Sequence, residues 1–424
     1  MRFAFVIGIA LLCLVSCSVM KYIPAVTAAK YYEQGDYANA IQYYLKSVSD
    51  GDRRAETFYW LGMSFYKHGD LEDAMLALEM SLEKDTTDVV VLERLAAVNL
   101  DLGNFRKAGF YCQKAILVDK QYVEVYNTLA HVFYEGGQLD SAEYYFKYVL
   151  TLSKSLRWES LAMKTFVSYA DLNAEALNGL GEICIRRGSL FRALDYFGAA
   201  NSLANNWETP WFNKGRAYEA LGNTHAAEIA YERTIDLAPG KTWACKNLAR
   251  MYHSLHRNSE AMTLYRRAMR IDSTDVESYF GIAELYEENG DKKVAADFYN
   301  RAVDKNPDDP RAYSRAARAN MLIGKYDVAM ELLNEVLQLQ PQDADAYNAL
   351  GEAYRATGDT LQAEKAFEDA IAADSLFAPP LRNLGEILLK RGKESEGLGL
   401  HIRAARLGDV KAAEFLRSRG LGWK

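Results

Sequence analysis

The stretch that decides the fold runs from Ala344 to Phe377 and reads ADAYNALGEAYRATGDTLQAEKAFEDAIAADSLF. Large and small residues alternate in it at helical spacing, and Gly358 separates its two halves. Apolar residues three and four apart mark one face of a helix, and a glycine between two such runs marks a turn. The stretch therefore predicts two short amphipathic helices joined at Gly358.

The same pattern returns every 34 residues along the chain. We count eleven registers, which begin at Lys21, Ala55, Val89, Val123, Ala174, Glu208, Thr242, Val276, Pro310, Ala344 and Ala378. One helix pair cannot bury its own apolar face, so a chain of such pairs predicts an array in which each pair packs on the next. Small residues at the eighth and twentieth positions are expected to let the paired helices approach closely.

Ten registers carry a glycine where the first helix ends, and each is predicted to adopt a positive φ. They are Gly35, Gly69, Gly103, Gly137, Gly188, Gly222, Gly290, Gly324, Gly358 and Gly392. The seventh register has His256 instead. Asp359, with Gln362 three residues later, predicts a capping box at the start of a second helix.

With this period and this series of large and small residues, the chain resembles the tetratricopeptide repeat (TPR) family. The resemblance covers residues 21–411 with one interruption. It implies an all-α fold, a right-handed α-solenoid of about eleven helix-turn-helix units. It also implies that other proteins or peptides bind to the concave face.

The registers predict six segments. These are a lipoprotein signal peptide (1–16), a lipidated N-terminus (17–20), TPR units 1–4 (21–156), a helical insert (157–173), TPR units 5–11 (174–411) and a C-terminal capping helix (412–424). The insert is either a joint between two stacks of repeats or a docking site for a partner. Both interpretations predict a domain boundary there.

The N-terminus is a different kind of sequence. Arg2 is followed by an uncharged apolar run from Phe3 to Val15, then by Ser16 and Cys17, which is the form of a signal peptide. Leu14 to Cys17 resembles the bacterial lipobox, which implies a lipid on Cys17; ordinary secretion and an uncleaved anchor are the alternatives. By the same resemblance, Ser18 implies the outer membrane, and we expect the periplasmic face.

Composition and motifs argue against several classes of function. The net charge of −7 is unlike the basic face that nucleic-acid binding needs. Cys112, Cys184 and Cys245 occupy core positions in units two apart, which predicts buried free thiols and no disulfide. His253 and His256 lack further ligands at metal spacing. We therefore predict no enzyme activity, no cofactor, no metal site, no nucleic-acid partner and no small-molecule substrate.

The resemblance places peptide contacts at the second, fifth, ninth, twelfth and thirteenth positions of each first helix. The N-terminal part of this groove is expected to be aromatic and weakly polar, with Tyr59, Tyr66 and Tyr134 as candidate partner-binding residues. The remaining candidates lie in later units, where bands of charge alternate. They are Arg216, Lys246, Asn247, Arg250, Arg311, Arg315 and Arg318.

Two interpretations of the charged bands stay open. Arg216, Lys246 and Arg250 could receive an acidic segment or C-terminus, since guanidinium groups bind carboxylates through two hydrogen bonds. Alternatively, neighbouring basic and acidic bands satisfy one another, as surface ion pairs commonly do. The family's clamp for a peptide carboxylate is matched only in part, by Lys246 and by asparagines that include Asn178, Asn213 and Asn247.

These observations predict a non-enzymatic interaction scaffold, anchored by its lipid at the bacterial outer membrane and facing the periplasm. It is expected to be an adaptor or subunit of an envelope assembly for secretion, pilus, motility or cell-wall work. The alternative is a regulator that binds and controls envelope hydrolases.

Overall fold

The computed structural model describes residues 23–156 and 168–423. The predicted signal peptide and Cys17 lie outside the described residues, as do residues 157–167 of the predicted insert. Within the described ranges the chain forms 23 helices and no strand. This confirms the predicted all-α class. In these same ranges no helix is both long and apolar enough to cross a bilayer.

The chain divides into two compact units, Met1–Ala230 (unit 1) and Tyr231–Lys424 (unit 2). The helices of unit 1 are α1 (Ile23–Glu33), α2 (Tyr37–Ser49), α3 (Ala55–His68), α4 (Leu71–Leu82), α5 (Val89–Asp101), α6 (Phe105–Val118), α7 (Val123–Glu135), α8 (Leu139–Leu156), α9 (Tyr169–Arg186), α10 (Leu190–Leu203) and α11 (Glu208–Ala220). The division falls inside α12 (Thr224–Leu237). The helices of unit 2 are α13 (Thr242–Ser254), α14 (Asn258–Ile271), α15 (Val276–Glu288), α16 (Lys292–Lys305), α17 (Pro310–Leu322), α18 (Tyr326–Leu339), α19 (Ala344–Thr357), α20 (Thr360–Ala373), α21 (Ala378–Lys390), α22 (Glu394–Arg406) and α23 (Val410–Ser418).

Helices pair in sequence within each unit. An odd-numbered helix, here called helix A, packs against the even-numbered helix B that follows it, as α9 packs against α10. Helix B then packs against the next pair, as α10 packs against α11. This is the nearest-neighbour packing expected of an array whose pairs cannot bury their own apolar faces.

Close approach between helices depends on glycines that face aromatic rings. A Cβ at Gly351 of α19 would lie 2.6 Å from Cε1 of Phe367 in α20, its own pair partner. A Cβ at Gly179 of α9 would lie 2.3 Å from Cζ of Phe146 in α8, which belongs to the preceding pair. Because nonbonded carbon atoms need about 3.5 Å or more, both contacts require glycine.

The turns follow the prediction. All ten predicted turn glycines have positive φ, between 72° and 105°, and His256 adopts φ 58° in the same place. Asp359 caps α20, since its side chain accepts a hydrogen bond from the backbone N–H of Gln362 at 3.1 Å. The three predicted core cysteines, Cys112, Cys184 and Cys245, are buried free thiols.

The helices beside the insert are longer than those of most other repeats. Both α8 and α9 have 18 residues, and α9 begins at Tyr169, so residues 169–173 of the predicted insert belong to it. The division between the two compact units lies inside α12, and the boundary predicted at the insert stays a prediction. Phe146 and Val149 of α8 share one apolar cluster with Leu172 and Leu180 of α9, which holds the two sides together.

Substituting Gly179 with alanine should destabilise unit 1 by about 1 to 3 kcal/mol, because overpacking forces Phe146 to move. Gly198, in the interior of α10, is the matched control: a Cβ there has open space, so Gly198→Ala should be neutral or stabilise by up to about 1 kcal/mol through helix propensity. Urea unfolding followed by circular dichroism measures both. Phe146→Leu should restore part of the loss, and equal stability of the two alanine variants would contradict the packing argument.

His256→Gly should stabilise the α13–α14 turn by about 0.5 to 1 kcal/mol, since a left-handed backbone is unfavourable for residues with a Cβ. Amide hydrogen exchange of α13 and α14 would show slower opening. Gly222→Ala, the converse change at a turn with φ 73°, should speed local opening by a similar factor. Unchanged exchange in both variants would exclude strain at these turns.

Candidate functional site

The candidate site is a cavity of about 530 Å³ in unit 1, on the side formed by the A helices, which we call the unit-1 groove. It crosses four consecutive repeats, because its walls come from the A helices α3, α5, α7 and α9, together with the turn between α5 and α6 and the first residue of α6. Its lining residues are Tyr66, Glu93, Arg94, Ala97, Leu100, Asp101, Gly103, Phe105, Glu124, Asn127, Thr128, His131, Glu135, Leu172 and Glu175.

The groove is acidic, which corrects the expectation that it is aromatic and weakly polar. Five carboxylates line it, those of Glu93, Asp101, Glu124, Glu135 and Glu175, against the single guanidinium of Arg94. The expectation rested on the A helices of the second and fourth repeats only. The second, fifth and thirteenth positions of the third to fifth repeats carry the acids, and reading those positions together would have found them.

Glu93 and Arg94 form an internal pair at the base of the groove. Glu93 is only 3% exposed, and its Oε1 accepts a hydrogen bond from the Thr128 hydroxyl at 2.6 Å. Its Oε2 lies 3.3 Å from Nε of Arg94. The electrostatic attraction between the two groups raises the pKa of Arg94 above its ordinary value. The charge of Arg94 is therefore compensated within the protein. Glu135, another carboxylate of the lining, lies 4.0 Å from the guanidinium of Arg186.

Two other carboxylates of the lining, Asp101 and Glu175, are hydrogen-bonded to neutral donors. The hydroxyl of Tyr66 donates to Asp101 at 2.8 Å. Nδ2 of Asn127 donates to Oε2 of Glu175 at 2.8 Å. Burial, and then repulsion from Glu93, raises the pKa of Glu175 above its ordinary value.

Asn127 also presents an unused acceptor. The residue is 5% exposed, and within the described ranges its Oδ1 has no hydrogen-bond partner. Buried polar atoms in folded proteins are nearly always paired, so a lone acceptor in the wall of a cavity calls for an explanation.

His131 contributes no positive charge to the groove at neutral pH. Burial lowers its pKa to about 4, and its ring stands edge-on to Phe146 with centroids 5.0 Å apart.

The predicted aromatic residues divide between groove and core. Tyr66 lines the groove. Tyr134 is buried, with the guanidinium of Arg186 over its ring at 3.9 Å. Tyr59 lies edge-on to Trp60 at 5.1 Å, outside the lining of the cavity.

The asparagines that resemble a carboxylate clamp are used for packing between repeats. Nδ2 of Asn213 donates both to Oδ1 of Asn178, at 3.0 Å, and to Oε1 of Glu182, at 2.9 Å. Asn348, Glu352 and Asn383 repeat the arrangement in unit 2. Both asparagines of the first set are buried, and their resemblance to a carboxylate clamp stays a prediction.

Of the predicted basic residues, Arg216 is exposed in unit 1, and the rest lie in unit 2. Lys246 Nζ lies 2.5 Å from Oδ1 of Asp275, the residue that caps the N-terminus of α15. Asn247 donates to the carbonyl of Trp243 and accepts from Arg250.

The arginines of α17 face the acids of α15. Arg311 lies 2.9 Å from Glu277 and 2.9 Å from Asp309, and Arg315 pairs with Glu284. Arg318 is exposed. These pairs favour the interpretation that the bands of unit 2 satisfy one another. The ligand role predicted for these residues stays a prediction.

Three family models match the chain. One, described as the C-terminal domain of cilia and flagella-associated protein 70, matches residues 81–348, which is more than half of the chain. Two tetratricopeptide repeat models match residues 320–379 and 28–89. The chain belongs to the tetratricopeptide repeat family. TPR proteins generally act as protein-interaction scaffolds without catalytic activity.

The chain matches no curated protein in sequence. Among solved TPR structures, the human IFIT1 dimer with m7Gppp-AAAA has 18% identity and a TM-score of 0.50, over 82% of this chain and 80% of that one. Yeast Tom70 has 13% identity and a TM-score of 0.41, over 95% and 96%. A tetratricopeptide repeat protein from Parabacteroides merdae has 22% identity and a TM-score of 0.41, over 63% and 99%. At these identities the comparison shows the fold alone.

The low pKa of His131 predicts a pH dependence of stability. The unfolded chain takes up the proton near pH 6.5, whereas the folded TPR array resists it down to about pH 4. Between these values the unfolded state binds more protons, so stability falls as the pH falls, by about 2 kcal/mol from pH 7 to pH 5. Urea unfolding at both pH values measures it.

The same measurement on His131→Phe separates the contribution of the histidine from that of other titrating groups. The variant should lose most of the pH-dependent difference. His225→Phe, at an exposed histidine of unit 1, should keep it. If both variants behave like the original protein, His131 is not held neutral.

Proposed function

We propose that this TPR protein is a protein-binding adaptor, held at the bacterial outer membrane by a lipid on Cys17 and facing the periplasm, where it serves an envelope assembly. The observation that carries the binding role is the unit-1 groove. It combines a cavity of about 530 Å³ with walls from four repeats, the side of the array on which the family generally holds its partners.

The tether is supported by the sequence of the first 17 residues. A single cation, a short apolar run and a small residue before Cys17 have the form that a lipidated signal peptide needs. Several acyl chains on one cysteine give stable membrane attachment, whereas a single chain does not.

A partner role for nucleic acid fits the groove poorly. Phosphate contacts depend on lysine and arginine, whereas the groove carries five carboxylates and one arginine that is already paired. The described residues also contain no group of three or more side chains placed to hold a metal ion. A scaffold role needs neither a cofactor nor a small-molecule substrate, and we propose none.

Replacing Cys17 with serine should abolish lipid labelling and release the protein from the membrane. Incorporation of an alkyne-tagged palmitate and fractionation of the envelope measure this in cells. Cys13→Ser is the matched control, because Cys13 lies in the apolar run before the cleavage position and should leave labelling unchanged. Labelling of Cys17→Ser, or full release of the original protein by high salt alone, would contradict the lipid anchor.

The adaptor role is tested by purifying the tagged protein from gently solubilised envelopes and identifying partners by mass spectrometry. A subunit of an assembly should be recovered with its partners at a fixed ratio. Recovery of envelope hydrolases at variable ratios, with changes in their activity, would favour the alternative role as their regulator.

A further inference from the structure

We propose that the outward face of α1 lies against the surface of the membrane to which Cys17 would be attached, so that the bilayer takes the place of a preceding repeat. This surface, which we call the α1 face, consists of Ile23, Val26, Thr27 and Lys30. The choice of a membrane as the occupant rests on the proposed function, because the lipid on Cys17 is what brings a bilayer to this helix.

The first step is the place that Ile23 takes in the repeat. It is the third position of its register, and that position is buried in all ten later registers, from Thr57 in the second to Pro380 in the eleventh. The preceding repeat covers it there, as Val91 of α5 shares an apolar cluster with Leu78 of α4. In the described part of the chain α1 is the first helix, and Ile23 is 56% exposed.

The second step is the sixth position, which holds Val26. In the fifth register this position is Gly179, which lies against Phe146 of the preceding pair. Val26 is 61% exposed, and it shares a helix face with Ile23, three residues before it. The ends of a repeat array need polar outer surfaces to stay soluble, so two exposed aliphatic side chains together at the first helix indicate that an apolar layer covers them.

The third step concerns the polar groups of the α1 face. The tenth position is buried in all ten later registers, but here it is Lys30, which is exposed. A lysine can lay its aliphatic stem on an apolar layer while its ammonium reaches the headgroups. The hydroxyl of Thr27 donates to the carbonyl of Ile23 at 3.1 Å, so it needs no water. The one acid of α1, Glu33, is the last residue of the helix.

The fourth step is what can reach the α1 face. Five residues lie between Cys17 and Ile23, a link that spans at most about 20 Å. The link contains Lys21 and no acid, and it ends in Tyr22, a residue type that favours the membrane–water interface. A chain processed at Cys17 would have six residues before α1, which is less than two turns of helix and too little to replace a helix B. The bilayer would be the apolar layer within reach.

The test uses the full-length protein, purified from membranes and reconstituted in vesicles of phosphatidylcholine and phosphatidylglycerol. Val26→Cys carries a fluorophore that is sensitive to polarity. The native Cys112, Cys184 and Cys245 are buried, and labelling of the protein without the substitution gives the background. The emission should shift to shorter wavelength and be quenched by lipids brominated in the acyl chain, because an interfacial helix buries its apolar face by about 5 to 10 Å. Leu361→Cys, at an exposed residue of unit 2, should show neither effect.

The decisive variant adds Ile23→Glu to the labelled Val26→Cys protein. A carboxylate is costly to place in an apolar layer and is repelled by anionic lipid, so most of the quenching should be lost. The matched control adds Leu361→Glu instead, which brings the same charge to unit 2 and should keep the quenching. Lys30→Gln should reduce the quenching in vesicles that contain phosphatidylglycerol, because basic residues bind anionic surfaces. All of these residues are exposed, and circular dichroism verifies that the variants are folded.

Three results would overturn the proposal. One is a label at Val26 that emits as it does in water, which would mean that nothing covers the α1 face. Another is a shift to shorter wavelength without quenching by brominated lipids, which would mean that protein covers it. That protein is a second copy if the shift grows with protein density, and residues 18–22 if it does not. The third is equal quenching of the labels at Val26 and Leu361, which would mean unspecific adsorption.

Mass spectrometry of the purified protein separates this inference from the proposed function. If Cys17 is acylated and the label at Val26 stays in water, the membrane contact is wrong and the lipid anchor survives. If Cys17 carries no lipid, the anchor fails, and vesicles added to the labelled protein decide the contact. Quenching would then support the contact without the anchor, and its absence would overturn both. The recovery of partners from envelopes tests the adaptor role independently.

Discussion

The structure depends on how closely one helix can approach the next. At Gly179 and Gly351 a ring occupies the place where a Cβ would stand, so backbone and aromatic ring are in direct contact. Because each pair is covered only by its neighbours, such contacts decide whether the apolar stripes are buried at all. The eighth and twentieth positions, which carry alanine or glycine in every register, meet this need throughout the chain; Gly179, at a sixth position, meets it at one junction.

What remains for function is the set of A-helix positions that packing does not use. Even at these positions, some polar side chains form hydrogen bonds to the next repeat. The fifth position of one repeat bonds to the sixth position of the next three times, as Glu93 to Thr128, Asn178 to Asn213 and Asn348 to Asn383. A groove residue is available to a partner only after these internal bonds are counted.

The sequence was sufficient for everything that depends on a single repeat. The 34-residue period predicted the helix pairs, and the glycines at the turns predicted the positive φ values. The core positions predicted that Cys112, Cys184 and Cys245 are buried. The sequence did not predict the contacts that form between side chains of neighbouring repeats. The acidic groove is assembled from α5, α7 and α9, and the partner of Lys246 is the capping residue Asp275, which lies outside the groove positions. The apolar cluster that α8 and α9 share was also beyond prediction, because an interrupted register does not show whether Phe146 and Leu180 lie in one core.

The proposed lipid attachment at Cys17 and the unit-1 groove belong to the same unit of the chain, unit 1. Five residues lie between Cys17 and the start of α1 at Ile23, and a chain of that length spans at most about 20 Å. Unit 1 would thus be held within a short distance of the membrane surface.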